Sequence, residues 1–193
     1  MKKMIATISF ILLAFSLFAQ TKWVADTSQT NIRFTATHLG VSEVDGHFTT
    51  YDGAMVSTKP DFTDAQIYFL VSVNSINTNN GLRDNHLKSP DFFDAQKYPQ
   101  IKFKSTSFKK ISDKQYSLEG DLTIRDVTKH VTFDVTYGGT VNDAEGKTKA
   151  GFTATTTINR FDYKLNWNKI TEAIAVVNSD VAVTISLEFT KQK

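Results

Sequence analysis

Val181-Ala182-Val183-Thr184-Ile185-Ser186-Leu187-Glu188-Phe189 is the stretch that decides the fold. Its odd positions are all apolar, and its even positions are small or polar. Successive side chains of a strand point to opposite faces, so this run lays an unbroken oily row on one side of a sheet. The same period recurs upstream. Ile32, Phe34, Ala36 and His38 oppose Arg33, Thr35 and Thr37, and Ile67, Phe69, Val71 and Val73 oppose Gln66, Tyr68, Leu70 and Ser72. Ile101, Phe103 and Ser105 share a third face, and Tyr116, Leu118, Gly120, Leu122 and Ile124 a fourth. Val131, Phe133, Val135 and Tyr137 make another, followed by Phe152, Ala154, Thr156 and Ile158. Residues 47–56, with Phe48, read as a less regular strand bulged near Asp52-Gly53.

These runs predict an all-β chain of eight antiparallel strands, most of ten or more residues. Strands usually run to about five or six residues. Eleven residues reach about 36 Å, and long strands leave long edges that invite aggregation. Closure into an up-and-down barrel removes the edges, and eight strands leave room inside for one small ligand. Turn signals fall at Asp45-Gly46, Asp52-Gly53, Gly138-Gly139 and 142–147, and Pro60, Pro90 and Pro99 lie between strands or at their margins. A short helical insertion is expected around residues 79–97. Leu82 and His86 stand at helical spacing, and Ser89-Pro90-Asp91 reads as the start of a second helix.

The chain opens with Lys2-Lys3, an apolar run from Met4 to Phe18, and Ala19 before Gln20. That layout is a secretory signal peptide over residues 1–19, so a periplasmic or secreted protein is expected, without a stable membrane anchor. Residues 20–193 are then a single domain of 174 residues, long enough for a core. Without Lys2 and Lys3, 20 basic residues face 20 acidic ones. That balance leaves no footprint for nucleic acid. Cysteine is absent, so core burial rather than disulfides stabilises the fold.

Five fragments, in order, resemble the YceI-like family of periplasmic polyisoprenoid-binding barrels, over essentially the whole chain from Trp23. The first are Trp23-Val24-Ala25-Asp26 with Ile32-Arg33-Phe34, and His38-Leu39-Gly40-Val41-Ser42 with Gly46-His47-Phe48. The most specific is Arg83-Asp84-Asn85-His86-Leu87-Lys88-Ser89-Pro90-Asp91-Phe92-Phe93-Asp94, followed by Tyr98-Pro99. Residues 120–128 and Ile158-Asn159-Arg160-Phe161-Asp162 complete the set. The resemblance implies an extended lipocalin-like barrel holding a long isoprenoid chain. Arg125 stands where the family often has Gly, and Tyr163-Lys164 where Phe-Gly is common.

The alternation points to a cavity on its own account. Ala36, Ser105, Gly120, Ala154 and Thr156 are small or weakly polar among the phenylalanines, which either opens a tunnel or merely accommodates neighbouring rings. The expected lining is Phe34, Ala36 and His38; Phe48; Ile67, Phe69 and Val71; Ile101 and Phe103; Leu118 and Leu122; Phe133 and Val135; Phe152, Ala154 and Ile158; and Val183 and Ile185. His38 fits better as a satisfied interior histidine than as a ligand contact. A polar mouth is expected from Arg83, Asp84, His86, Arg160, Asp162 and Trp167. There an arginine meets an anionic head group, or Arg83–Asp162 and Arg160–Asp84 are ion pairs that fasten the insertion. Trp23 and Trp167 are expected at the rim or as end plugs.

Histidines 38, 47, 86 and 130 show no ligand spacing, so no metal is expected. Neither a nucleophile elbow nor a phosphate loop appears. The expected role is therefore a non-catalytic carrier of a long-chain isoprenoid or acyl amphiphile, without cofactor. The alternatives are an enzyme acting on such a lipid through His86, Asp84 and Arg83, or a structural or stress-response barrel without ligand. Closed edges argue against obligate strand pairing between chains, leaving a monomer or a side-by-side homodimer.

Overall fold

Eight staves of alternating sequence wind into one closed antiparallel barrel. The computed structural model describes residues 20–192 except 168–169 and 172–173, so the expected signal peptide lies outside the described residues. The first stave is bent into β1 (Thr21–Ala25) and β2 (Asn31–His38), and the second into β3 (Ser42–Phe48) and β4 (Tyr51–Ser57). The third comprises β5 (Gln66–Ser72) and, past a 3-10 turn at Val73–Ser75, β6 (Ile76–Asn77). Helix α1 (Gly81–Lys88) and a run of turns lead to β7 (Gln100–Lys110), β8 (Gln115–Ile124), β9 (Val127–Asn142) and β10 (Thr148–Asn159). A 3-10 turn at Arg160–Tyr163 and a small ladder of β11 (Ile170–Thr171) with β12 (Ile174–Ala175) precede β13 (Val177–Lys191). Neighbours run β1-β4-β5-β7-β8-β9-β10-β13, and β13 closes the ring on β1 with Trp23 opposite Lys191. Farther along, β13 pairs with β2, β2 with β3, and β3 with β6, so the bent staves stay paired past their bends.

Three sequence expectations need correction. Residues 47–56 are not one bulged strand but the junction of β3 and β4. Asp45-Gly46, Asp52-Gly53 and Gly138-Gly139 are not turns: all lie inside strands. Gly46 sits opposite Phe34, and Gly53 opposite Phe69. Gly138 adjoins a register shift where Gly139 pairs with Gly151. The glycines therefore make room for rings and a bulge. The second helix is also absent. Ser89 ends α1 instead, its hydroxyl donating to the His86 carbonyl at 2.7 Å. The chain beyond turns back, with Asp94 in the left-handed region (φ 51°).

The barrel has unlike ends. At the lower end, rings from several staves fill the bore. Phe62 packs edge-on against Trp23, Tyr137 and Phe152, with centroids 5.5, 5.8 and 5.4 Å away. Phe108 stacks on Tyr116 at 4.8 Å. Phe62 comes from the β4–β5 loop, which the Asp64 carboxylate holds in place by accepting hydrogen bonds from Ser57, Thr58 and Lys59. Burial pushes the Asp64 carboxyl up, but those bonds outweigh it and hold the group below the usual carboxylate range. Trp23 is thus part of a plug. The upper end carries α1, the β2–β3 and β8–β9 turns and the β10–β13 loop.

Candidate functional site

Above the plug the inward faces surround an apolar bore of about 200 Å³. Met55, Phe108, Phe152 and Phe189 form its floor, and Leu87, Phe92 and Phe93 of the insertion roof it. Every expected lining residue except His38 faces this bore. His38 lines a second chamber of about 430 Å³ directly above, with Thr37, Val44, Asn80, Arg83, His86 and Trp167. The two share Phe34, Ala36, Leu87, Phe92 and Val177, so the mouth chamber adjoins the bore across these side chains.

Glycine keeps the bore open. A Cβ on Gly46 would stand 2.2 Å from the Phe34 ring, one on Gly53 2.3 Å from Phe69, and one on Gly120 2.5 Å from Phe103. Phe34 and Phe69 thus lie over the glycines paired directly opposite them, and Phe103 lies over Gly120, diagonal to it on the neighbouring strand. Folded back in this way, the phenylalanines line the space rather than fill it. Of the small residues expected on these faces, Gly120 makes room for a ring, and Ala36 and Ala154 line the bore. Ser105 adds to the wall by accepting the Ile67 backbone N–H at 2.8 Å. A bulge after it turns Phe108 inward.

The mouth is built on α1. Asn80 caps the helix by accepting the Arg83 N–H. Arg83 donates from Nε to the Thr78 hydroxyl and from Nη2 to the Thr78 carbonyl, each at 2.8 Å. Thr78, itself buried, donates its hydroxyl and N–H to Asp84 at 2.6 and 2.9 Å. This chain of bonds fixes the guanidinium, and Arg83 lines the chamber with a group whose remaining donors suit carboxylate or phosphate oxygens. Asp84 therefore orients Arg83 rather than lining the chamber. His86 pairs with Asp91 at 2.9 Å, not with Asp84. Its ring meets Phe92 and Trp167 edge-on at 5.1 and 5.0 Å.

Arg160 lies deeper, with 4% of its surface exposed, along the wall of the bore. Its guanidinium donates to four carbonyls, those of Leu165, Trp167, Val177 and Asn178. Burial lowers its pKa, and the carbonyls supply the compensation that a carboxylate would otherwise give. The residue pins the β10–β13 loop, and so Trp167, over the mouth. Among the described residues neither Arg83–Asp162 nor Arg160–Asp84 forms an ion pair, and Asp162 is an exposed residue that lines neither chamber.

Several wall residues went unselected in the sequence. Ile32, Val181, Leu187 and Phe189 had the right parity and were legible. Leu87, Phe92 and Phe93 lie in turns and a single helix, where no period marks the inward side. Among the described residues no group of three or more His, Cys, Asp or Glu side chains comes together as for a metal ion. Nor is any helix there long and apolar enough to cross a membrane.

Residues 23–189 match the model of the YceI-like domain. The chain belongs to the YceI-like family. A UPF0312 protein of Staphylococcus aureus strain N315 is 36% identical over 171 residues, covering 88% of this chain and 97% of its own. One from Pseudomonas putida strain F1 is 38% identical over 158 residues, 81% and 78% of the two chains. Among solved structures, the Campylobacter jejuni YCEI protein superposes with a TM-score of 0.71 at 31% identity, covering 81% of this chain and 90% of that one. A polyisoprenoid-binding domain from Saccharophagus degradans shares the fold at 12% identity (TM-score 0.65, covering 88% and 98%).

Proposed function

We propose that the protein is a non-catalytic carrier that holds a polyisoprenoid or similar long-chain amphiphile, its tail in the bore and its polar end at the mouth. The observation that carries this reading is an apolar bore that adjoins a chamber edged by an oriented arginine. A cavity of about 150 Å³ lined by Leu, Ile and Phe stays dry and takes up benzene, and the bore is larger before the mouth is added. Each buried CH₂ contributes about 0.8 kcal/mol, so a chain of about 16 carbons gains roughly 13 kcal/mol before ordering costs. Tight binding thus needs no single strong polar contact. Arg83, with His86 and Trp167 beside it, selects the head group. The polyisoprenoid-binding neighbour supports an isoprenoid tail. The leader-like residues 1–19 support a place outside the cytoplasm, where a long-chain amphiphile is insoluble in the aqueous space.

Native mass spectrometry of the purified protein tests this, followed by organic extraction. The expected result is a complex whose added mass is a long-chain amphiphile, lost when Ala154 in the bore wall is replaced by Phe. A ligand-free protein that also takes up no fluorescent lipid would overturn the proposal.

A further inference from the structure

The mouth chamber lies between α1 and the β2–β3 hairpin, and the rim there carries exposed aliphatic side chains. We propose that this rim docks on the surface of a lipid bilayer, so that the amphiphile passes between membrane and bore without entering water; the inference rests on the carrier reading above. Leu82, in the first turn of α1 and on the edge of the mouth chamber, is 86% exposed. Val41, at the tip of the β2–β3 hairpin, is 86% exposed as well. That tip places Leu39 and Gly40 at φ 51° and 72°, in the left-handed region that polar turn residues and glycine usually occupy. Leucine adopts it only at a cost. Phe161, on the 3-10 turn that follows β10, is a third exposed apolar side chain at this end. Three separate elements of the rim thus each offer the solvent a side chain that a membrane would bury.

Ile111 and Val141 are also exposed, but at the plugged end, among Lys110, Asp113, Lys114 and Asp143. A membrane there would meet the floor of rings rather than the mouth chamber. At the mouth, Arg83 and Lys88 are offset by the exposed Glu43 and Asp162, so apolar insertion rather than charge supports the contact. Transfer by contact has a clear advantage for this ligand. Each added methylene makes a passage through water roughly fourfold rarer.

The test loads the protein with anthroyloxy-palmitate and mixes it with phosphatidylcholine vesicles that carry a quencher. The transfer rate is expected to rise in proportion to vesicle concentration and to change little with salt. Val41→Asp is expected to lower the vesicle-dependent rate about tenfold, the loss of one buried aliphatic side chain, and Val41→Trp to raise it. Both keep wild-type affinity for the probe, because Val41 lines neither chamber. Ile111→Asp is expected to transfer as wild type does. A rate independent of vesicle concentration would overturn the docking inference while leaving the carrier reading intact, as would a Val41→Asp variant that transfers normally or an equal loss in Ile111→Asp. A wild-type protein that takes up no probe would contradict the carrier reading itself.

Discussion

At the scale of single residues, glycine decides whether the barrel is a container. The Phe34 ring occupies the volume that a Gly46 side chain would need. Gly46→Ala is therefore expected to drive that ring toward the bore. The cost is about 1–3 kcal/mol, typical of an overpacked site, and lipid uptake falls by more than the loss of stability explains. Parallel chemical denaturation and probe titration separate the two effects. Asp64 makes a second residue-scale prediction. Its folded pKa lies below the ordinary value, so its stabilisation is present above about pH 4 and is lost as pH falls further. Asp64→Asn is expected to cost about 2 kcal/mol at neutral pH through weakened charge-assisted bonds. That difference from wild type should shrink in acid; a gap that stays constant down to pH 2 would contradict the assignment.

At the scale of elements, Arg125 and Lys164 tie the mouth together. Both are non-glycine residues in the left-handed region, with φ 55° and 59°, at two positions where the family resemblance led one to expect Gly. Arg125 donates from Nη1 to the carbonyl of Phe92 in the roof and to that of Lys164 in the β10–β13 loop, at 2.8 and 3.0 Å. Lys164 in turn reaches Asp126 at 2.8 Å. Arg125→Gly loses two bonds worth roughly 1.5–3 kcal/mol each but relieves left-handed strain of about 1 kcal/mol and removes a buried, unbonded Nε. The losses exceed the gains, so the expected outcome is a stability lower by roughly 1–4 kcal/mol and faster release of a bound probe, read by stopped-flow. An unchanged release rate would mean that the latch does not control the roof. This tie was invisible in the sequence because it joins three loops that no periodicity relates. Residues 42–46 escaped for a simpler reason: Val44 is their one large apolar side chain, too little to mark a strand.

At the scale of the whole molecule, parity was enough to recover the wall. A residue that alternates with polar neighbours on a closed sheet has only the bore to face, which is why Phe133, Leu122 and Ile185 could be placed from sequence. The mouth obeys no such rule. Arg83 and Asp84 came out as partners through Thr78 rather than across the barrel, because helix and loop geometry, not period, sets their reach. The division between plug and bore was equally hidden, since aromatic and aliphatic residues share one parity and differ only in height along the staves.

The most direct test is a chain-length series of fatty acids or isoprenols measured by calorimetry. The expected result is a Kd that falls with each added carbon, by up to about fourfold per CH₂, until the bore and mouth are filled, and then levels off. In Ala154→Phe the plateau should come several carbons earlier. A Kd independent of chain length, or a plateau unmoved by that substitution, would show that the tail does not lie in the barrel.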